Sequence, residues 1–132
     1  TKLVLFSLVL FVATLSFAAK NPQIRACYAA RGEFMSANSS EDQIGLCKLG
    51  MSLIGSIDLL NKDARIEVPL SLYSYKNGVQ LCAPRNLVTF TTFEGLDILV
   101  CYYSDGSVID IDTLTRGKNN GLNTQLNKAL DL

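Results

Sequence analysis

An apolar run from Leu3 to Leu15, interrupted only by small residues such as Ser7 and Thr14, opens the chain behind a single charge, Lys2. The length of that run and the small residues of Ser16-Phe17-Ala18 predict a signal peptide over residues 1–18, cleaved between Ala18 and Ala19. Beyond it the pattern becomes mixed. Asn21-Pro22 supplies cap and first-turn chemistry for a helix, and Ile24, Cys27, Tyr28 and Arg31 follow at helical spacing up to a stop at Gly32.

The next stretch reads in two ways. Ser39 or Ser40 with Gln43 resembles a capping box, and Leu46, Leu49, Leu53, Ile57 and Leu60 form one apolar stripe of a long helix. Gly45, Gly50 and Gly55 oppose it, because each interior glycine costs about 1 kcal/mol relative to alanine. A strand over Ile44–Leu49 followed by a helix over Ser52–Lys62 fits the same residues. Val68 to Tyr75 is rich in strand formers, and Asn77-Gly78 predicts a tight hairpin turn after it. Leu87–Phe93 and Ile98–Tyr103 predict two further strands, with turns at Glu94-Gly95 and Asp105-Gly106-Ser107. The polar tail from Lys118 carries Leu122, Leu126, Ala129 and Leu130 at helical spacing, which predicts a short, weakly docked helix. The fold class is α+β, an antiparallel sheet with flanking short helices.

Four cysteines, Cys27, Cys47, Cys82 and Cys101, follow the leader, and export makes oxidation their default fate. Gaps of 20, 35 and 19 residues favour Cys27 with Cys47 and Cys82 with Cys101 among the three possible pairings. Loops of that size would stabilise the fold by about 3 kcal/mol each in the chain-entropy model. Four metal thiolates are disfavoured, since zinc ligands come in closely spaced pairs.

The near-equal spacing also points to an internal repeat. Ile44, Cys47, Ile54, Ile57, Asp58, Leu60 and Lys62 align with Ile98, Cys101, Val108, Ile111, Asp112, Leu114 and Arg116. Residues 19–132 then form a single mature domain of two half-units, 20–66 and 67–132, that share one core. Neither half could bury enough apolar surface alone.

The motifs Asn21-Pro22, Cys27 and Gly45-Leu46-Cys47, then Cys101 with Asp105-Gly106-Ser107, resemble a family of small bacterial envelope domains of unknown function that carries the label hemolysin. They look like the front of one such unit and the back of a second. That family follows the turn with a cysteine, two acids and a tryptophan, whereas this chain reads Val108-Ile109-Asp110-Ile111-Asp112 and has no tryptophan. The resemblance implies a bacterial envelope setting and no activity that can be placed on residues.

Charge excludes one large class of partner. The chain has 12 bases and 12 acids; without Lys2 it has 11 against 12, a net charge of −1. The bases are scattered, so no stripe attracts nucleic acid. The absence of histidine removes the usual general base and metal ligand, and with them the Ser-His and Cys-His pairs. There is no Gly-Lys-Ser/Thr phosphate loop and no Cys-x-x-Cys redox pair. The expectation is therefore no catalytic, cofactor or metal residues.

Three weaker constellations remain. Asp110 and Asp112 would share one face of an extended segment as a carboxylate pair, although solvated alternation explains them more simply. Asp105, Asp110 and Asp112 hold oxygen ligands suited to calcium but miss the EF-hand spacing. Tyr73, Tyr75, Tyr102 and Tyr103 fall on predicted strands and offer a binding face, with half-buried sheet positions as the simpler reading. The leading expectation is an exported, secreted or periplasmic, non-enzymatic module that binds or inhibits another envelope or extracellular macromolecule and does not insert stably in a membrane. The competitors are a small carboxylate hydrolase and a membrane-active toxin, the latter relying on an amphipathic Gln43–Lys62.

Overall fold

The computed structural model describes residues 21–62, Tyr73 and residues 82–132; the leader, the expected strand from Val68 to Tyr75 apart from Tyr73, and the expected Asn77-Gly78 turn lie outside the described residues. Two strand triplets build the molecule. The first comprises β1 (Glu33–Asn38), β2 (Gln43–Leu49) and β3 (Ser52–Gly55); the second comprises β4 (Leu87–Thr92), β5 (Asp97–Tyr102) and β6 (Val108–Asp110). All neighbours pair antiparallel, and the order β1-β2-β3-β6-β5-β4 closes into a barrel. Among the described residues, four α-helices accompany it: α1 (Pro22–Ala29), α2 (Ser56–Leu60) directly after β3, α3 (Ile111–Arg116) directly after β6, and α4 (Thr124–Ala129). The antiparallel sheet with short helices is thus present, closed on itself so that its edges are paired.

The barrel has two apolar layers because its strands alternate. Ala37, Ile44, Leu46, Phe90, Ile98, Val100 and Val108 fill the interior. A second cluster lies on the outer surface beneath the helices. A register row crossing five pairings runs through it, Phe34, Cys47, Ile54, Ile109, Cys101 and Leu87, of which the four central residues are buried in the cluster, Phe34 packs against it and Leu87 is exposed. Cys27 of α1, Leu59 of α2, Leu114 of α3, Leu126 and Leu130 at the chain's end, and Tyr73 pack onto that layer, so both halves contribute to one core. Cys27 bonds Cys47 and Cys82 bonds Cys101, with Cα separations of 5.5 and 5.8 Å.

The row is symmetric about its centre. Phe34 corresponds to Leu87, Cys47 to Cys101 and Ile54 to Ile109, at offsets of 53, 54 and 55 residues, because each turn of the second triplet is one residue longer. Two residue pairs sit on the resulting pseudo-dyad, Ile54 with Ile109 and Asn38 with Thr91. This register corrects part of the sequence alignment: Asp58 corresponds to Thr113 rather than Asp112, and Ile54 to Ile109 rather than Val108.

Other expectations also change. Gln43–Lys62 is not one amphipathic helix, and the helix that follows β3 is shorter than Ser52–Lys62. Gly55 is the reason: a Cβ there would meet the Asp58 carboxylate and lie 2.7 Å from Val108 Cγ1, so the strand can turn into α2 at this point only without a side chain. Ser39 does not cap a helix; its Oγ accepts the N–H groups of Glu41 and Asp42 in the β1–β2 turn. Asp110 and Asp112 do not alternate on a strand, since Asp110 ends β6 as the N-cap of α3 and Asp112 lies inside the helix.

The tail docks tightly, not weakly. Asn123 is fully buried. Its Oδ1 accepts from Ser52 Oγ at 2.7 Å and from Arg116 Nε and Nη2, and its Nδ2 donates to the carbonyls of Thr113 and Gly117. Arg116 also donates to the Met51 carbonyl at 2.7 Å, locking the β2–β3 turn to the tail.

Candidate functional site

The helices leave a groove of about 570 Å³ between α1, α2 and α4. Its α1 wall exists because Asn21 Oδ1 accepts the N–H groups of Gln23 and Ile24, Pro22 sits in the first turn, and the Cys27–Cys47 bond pins the helix to β2. Gly32 allows that approach, since a Cβ there would collide with Cys47 Sγ. Ala26, Ala29 and Ala30 line the groove from α1, Leu59 from α2 and Ala129 from α4. Small side chains at these spacings keep the cleft open.

Arg31, Lys62 and Lys128 line the groove with these apolar residues, and no acid is among its described lining. Lys62 donates to the Ala129 carbonyl at 3.1 Å and meets Asp131 at 3.5 Å. Arg31 and Lys128 make no ion pair among the described residues.

Two of the helices that form the groove end in the same unusual way. After α1, Arg31 N–H donates to the Tyr28 carbonyl and Gly32 N–H to that of Cys27; after α4, Asp131 and Leu132 donate to Lys128 and Asn127. These are Schellman closures, which place one residue in the left-handed region and usually use glycine there. Here the residues are Arg31, with φ of 62°, and Asp131, with φ of 58°, the two non-glycine residues of positive φ among those described. A side chain in that conformation costs about 1–2 kcal/mol. At both helix ends the chain carries this strain; after α1 it keeps the Arg31 side chain on the groove, and after α4 it places Asp131 where it meets Lys62.

Of the four tyrosines expected to offer a binding face, the three described, Tyr73, Tyr102 and Tyr103, take different positions, and Tyr75 lies outside the described residues. Tyr73 is fully buried with helical backbone, not on an exposed strand, and its hydroxyl donates to Asn127 Oδ1 at 2.5 Å. Burial pushes this phenol up to about 12, against the lowering influence of Asn123 and Arg116. Tyr102 packs inward edge-on to Phe90, centroids 5.3 Å apart. Tyr103 takes the other face of the chain, and its hydroxyl lies 3.4 Å from Cys101 Sγ, to which it donates.

The acids have structural partners as well. Asp105 Oδ1 accepts both the N–H and the hydroxyl of Ser107, which holds its carboxyl below the usual range. Asp110 is buried, and its Oδ2 accepts from Thr113 N and Oγ1; burial nonetheless raises its carboxyl. Asp58 is fully buried and its Oδ2 accepts the Val108 N–H. No three of these acids and cysteines form a metal-binding group among the described residues. Gly45, Gly50 and Gly55 abut Phe34, Gln125 and Asp58 respectively, as packing and turn positions. Leu46, Leu49 and Leu59 are buried, so the Gln43–Lys62 segment presents no amphipathic helix. No described helix is long and apolar enough to cross a membrane.

Sequence reasoning missed the groove, although Ala26, Ala29 and Ala30 at i, i+3 and i+4 carried its signal. Comparison with protein-family models, curated proteins and solved structures finds no match.

Proposed function

We propose that this protein is an exported, non-enzymatic binding module of an oxidising compartment, secreted or periplasmic, whose groove takes a segment of a macromolecule that is both apolar and acidic. One observation carries the reading: an alanine-lined cleft of ligand-accommodating size bordered by Arg31, Lys62 and Lys128. The alanine methyls favour aliphatic or aromatic side chains, and the bases favour carboxylates beside them. Two disulfides support the oxidising setting. The dyad-related register supports a further point, that the chain arose by doubling of a unit of three strands and a helix.

A carboxylate hydrolase has less support. It needs at least two acids facing a concave site, whereas buried Asp58 and Asp110 each accept a backbone N–H and neither is part of the groove lining.

The test is fluorescence anisotropy of a labelled decapeptide alternating leucine or phenylalanine with glutamate, titrated with the oxidised protein. Saturable binding is expected, weakened roughly tenfold by Lys128→Glu, as for one reversed charge in a desolvated contact. Absence of binding at millimolar protein, or equal affinity of the variant, would overturn the reading.

A further inference from the structure

The two dyad-related hairpins end in opposite chemistry. The β1–β2 turn is Ser39-Ser40-Glu41-Asp42, wholly polar. The β4–β5 turn instead presents Phe93, 97% exposed, and Leu96, 63% exposed, around Glu94-Gly95. Looseness does not explain that exposure, because the turn is tied at every level. Thr92 N–H donates to the Leu96 carbonyl at 2.9 Å, Gly95 N–H donates to the Thr92 carbonyl at 2.9 Å, and Leu96 N–H donates to Thr92 Oγ1 at 3.0 Å. Thr91 Oγ1 then donates to Asp97 Oδ1 at 2.7 Å across the strands. Gly95, at φ of 87°, supplies the backbone conformation the turn needs. A rigid tip that holds an aromatic side chain in water has its ordering cost already met before it binds anything, and aromatic anchors of this kind concentrate binding energy.

The charges around the tip select its partner. Glu94 and Asp97 lie within it, and residues 91–99 contain no base. An anionic lipid surface would repel such a tip; an apolar cleft bordered by bases would receive it. That cleft is present on the same molecule, between α1, α2 and α4. Resting on the reading of the groove given above, we infer that its partner is a second copy of this chain: Phe93 and Leu96 of one copy enter the groove of the next, with Glu94 and Asp97 facing Arg31 and Lys128. The contact joins unlike surfaces, so it propagates head to tail. Being small, it is reversible at micromolar to millimolar concentration.

Sedimentation velocity of the oxidised full chain, over roughly 10 µM to 1 mM, tests this. A mean mass rising with concentration, and falling back as salt screens the charges, is expected. Phe93→Ser, at a site exposed enough to leave the fold intact, should shift association at least roughly tenfold to higher concentration. Glu94→Lys and Lys128→Glu should each weaken self-association, and their equimolar mixture should restore it by pairing reversed tip with reversed groove. A monomer at all concentrations, or association indifferent to Phe93→Ser, would overturn the inference; so would Phe93-dependent flotation with zwitterionic vesicles in place of self-association. Peptide binding that persists in a protein that stays monomeric would leave the groove reading standing and remove this one alone.

Discussion

Asp58 and Thr113 make the same hydrogen bond in opposite directions across the pseudo-dyad. Asp58 Oδ2 accepts the N–H of Val108 at 3.0 Å, and Thr113 Oγ1 accepts the N–H of Leu53 at 3.0 Å. Each sits at the third position of the helix that follows its triplet, and each reaches the third strand of the other triplet. Both side chains are fully buried. The β3–β6 seam, whose one registered pair is Ile54 with Ile109, is thereby braced on both sides of its centre.

Thr113→Val keeps the shape of that side chain and removes its acceptor. Leu53 N–H then loses its partner, at a cost of about 1–3 kcal/mol. Urea unfolding should show that loss for valine and recover most of it for Thr113→Ser. Equal stability of all three forms would show that the brace carries no weight.

Arg31→Gly separates stability from binding. Relief of the left-handed strain contributes about 1–2 kcal/mol, and the extra freedom of glycine in the unfolded chain subtracts about 0.5–1 kcal/mol. The variant is therefore expected to be more stable by roughly 0.5–1 kcal/mol and to bind the acidic, apolar peptide more weakly. Thermal melts and anisotropy titrations report the two effects independently.

Asp110 gives the molecule a pH dependence of definite sign. Its folded carboxyl is raised above the ordinary 3.8, chiefly by burial, against hydrogen bonds from Thr113 and the charge of Arg116. Between the unfolded value and the raised one, the folded state holds more protons than the unfolded state, so this group's contribution falls as pH rises through that window. Asp110→Asn keeps an acceptor for the Thr113 N–H and removes the ionisation. It should be more stable than the parent at neutral pH, with the difference closing as pH falls below the unfolded value. Urea midpoints measured from pH 3 to pH 7 would reveal the opposite sign directly.

The strands most legible in the sequence were β4 and β5, where a run of β-branched and aromatic residues stands between turn signals. The disulfide pairing was legible for a different reason, since near-equal gaps of 20 and 19 residues favoured one bond within each half, the pairing the structure has. β1 escaped because Glu33–Asn38 packs Phe34 against the outer layer and Met35 against the interior, so both faces are partly covered and no apolar alternation survives. The stripe from Leu46 to Leu60 imitated a helix because the chain turns from strand to helix at Gly55 without losing its apolar content. Asp110 and Asp112 looked solvated, yet the first is a buried cap. The groove was hidden because alanines and scattered bases become a site only when three helices distant in sequence converge.

Each disulfide closes a loop within its own half, residues 27–47 and residues 82–101, and the two loops do not overlap. The linking stretch from 48 to 81 is therefore the single covalent thread between the halves. A protease cut inside either loop leaves one molecule on a non-reducing gel, whereas a cut in the thread yields two fragments. What then keeps those fragments together is the strand pairing across the dyad, the reciprocal bonds of Asp58 and Thr113, and the shared core.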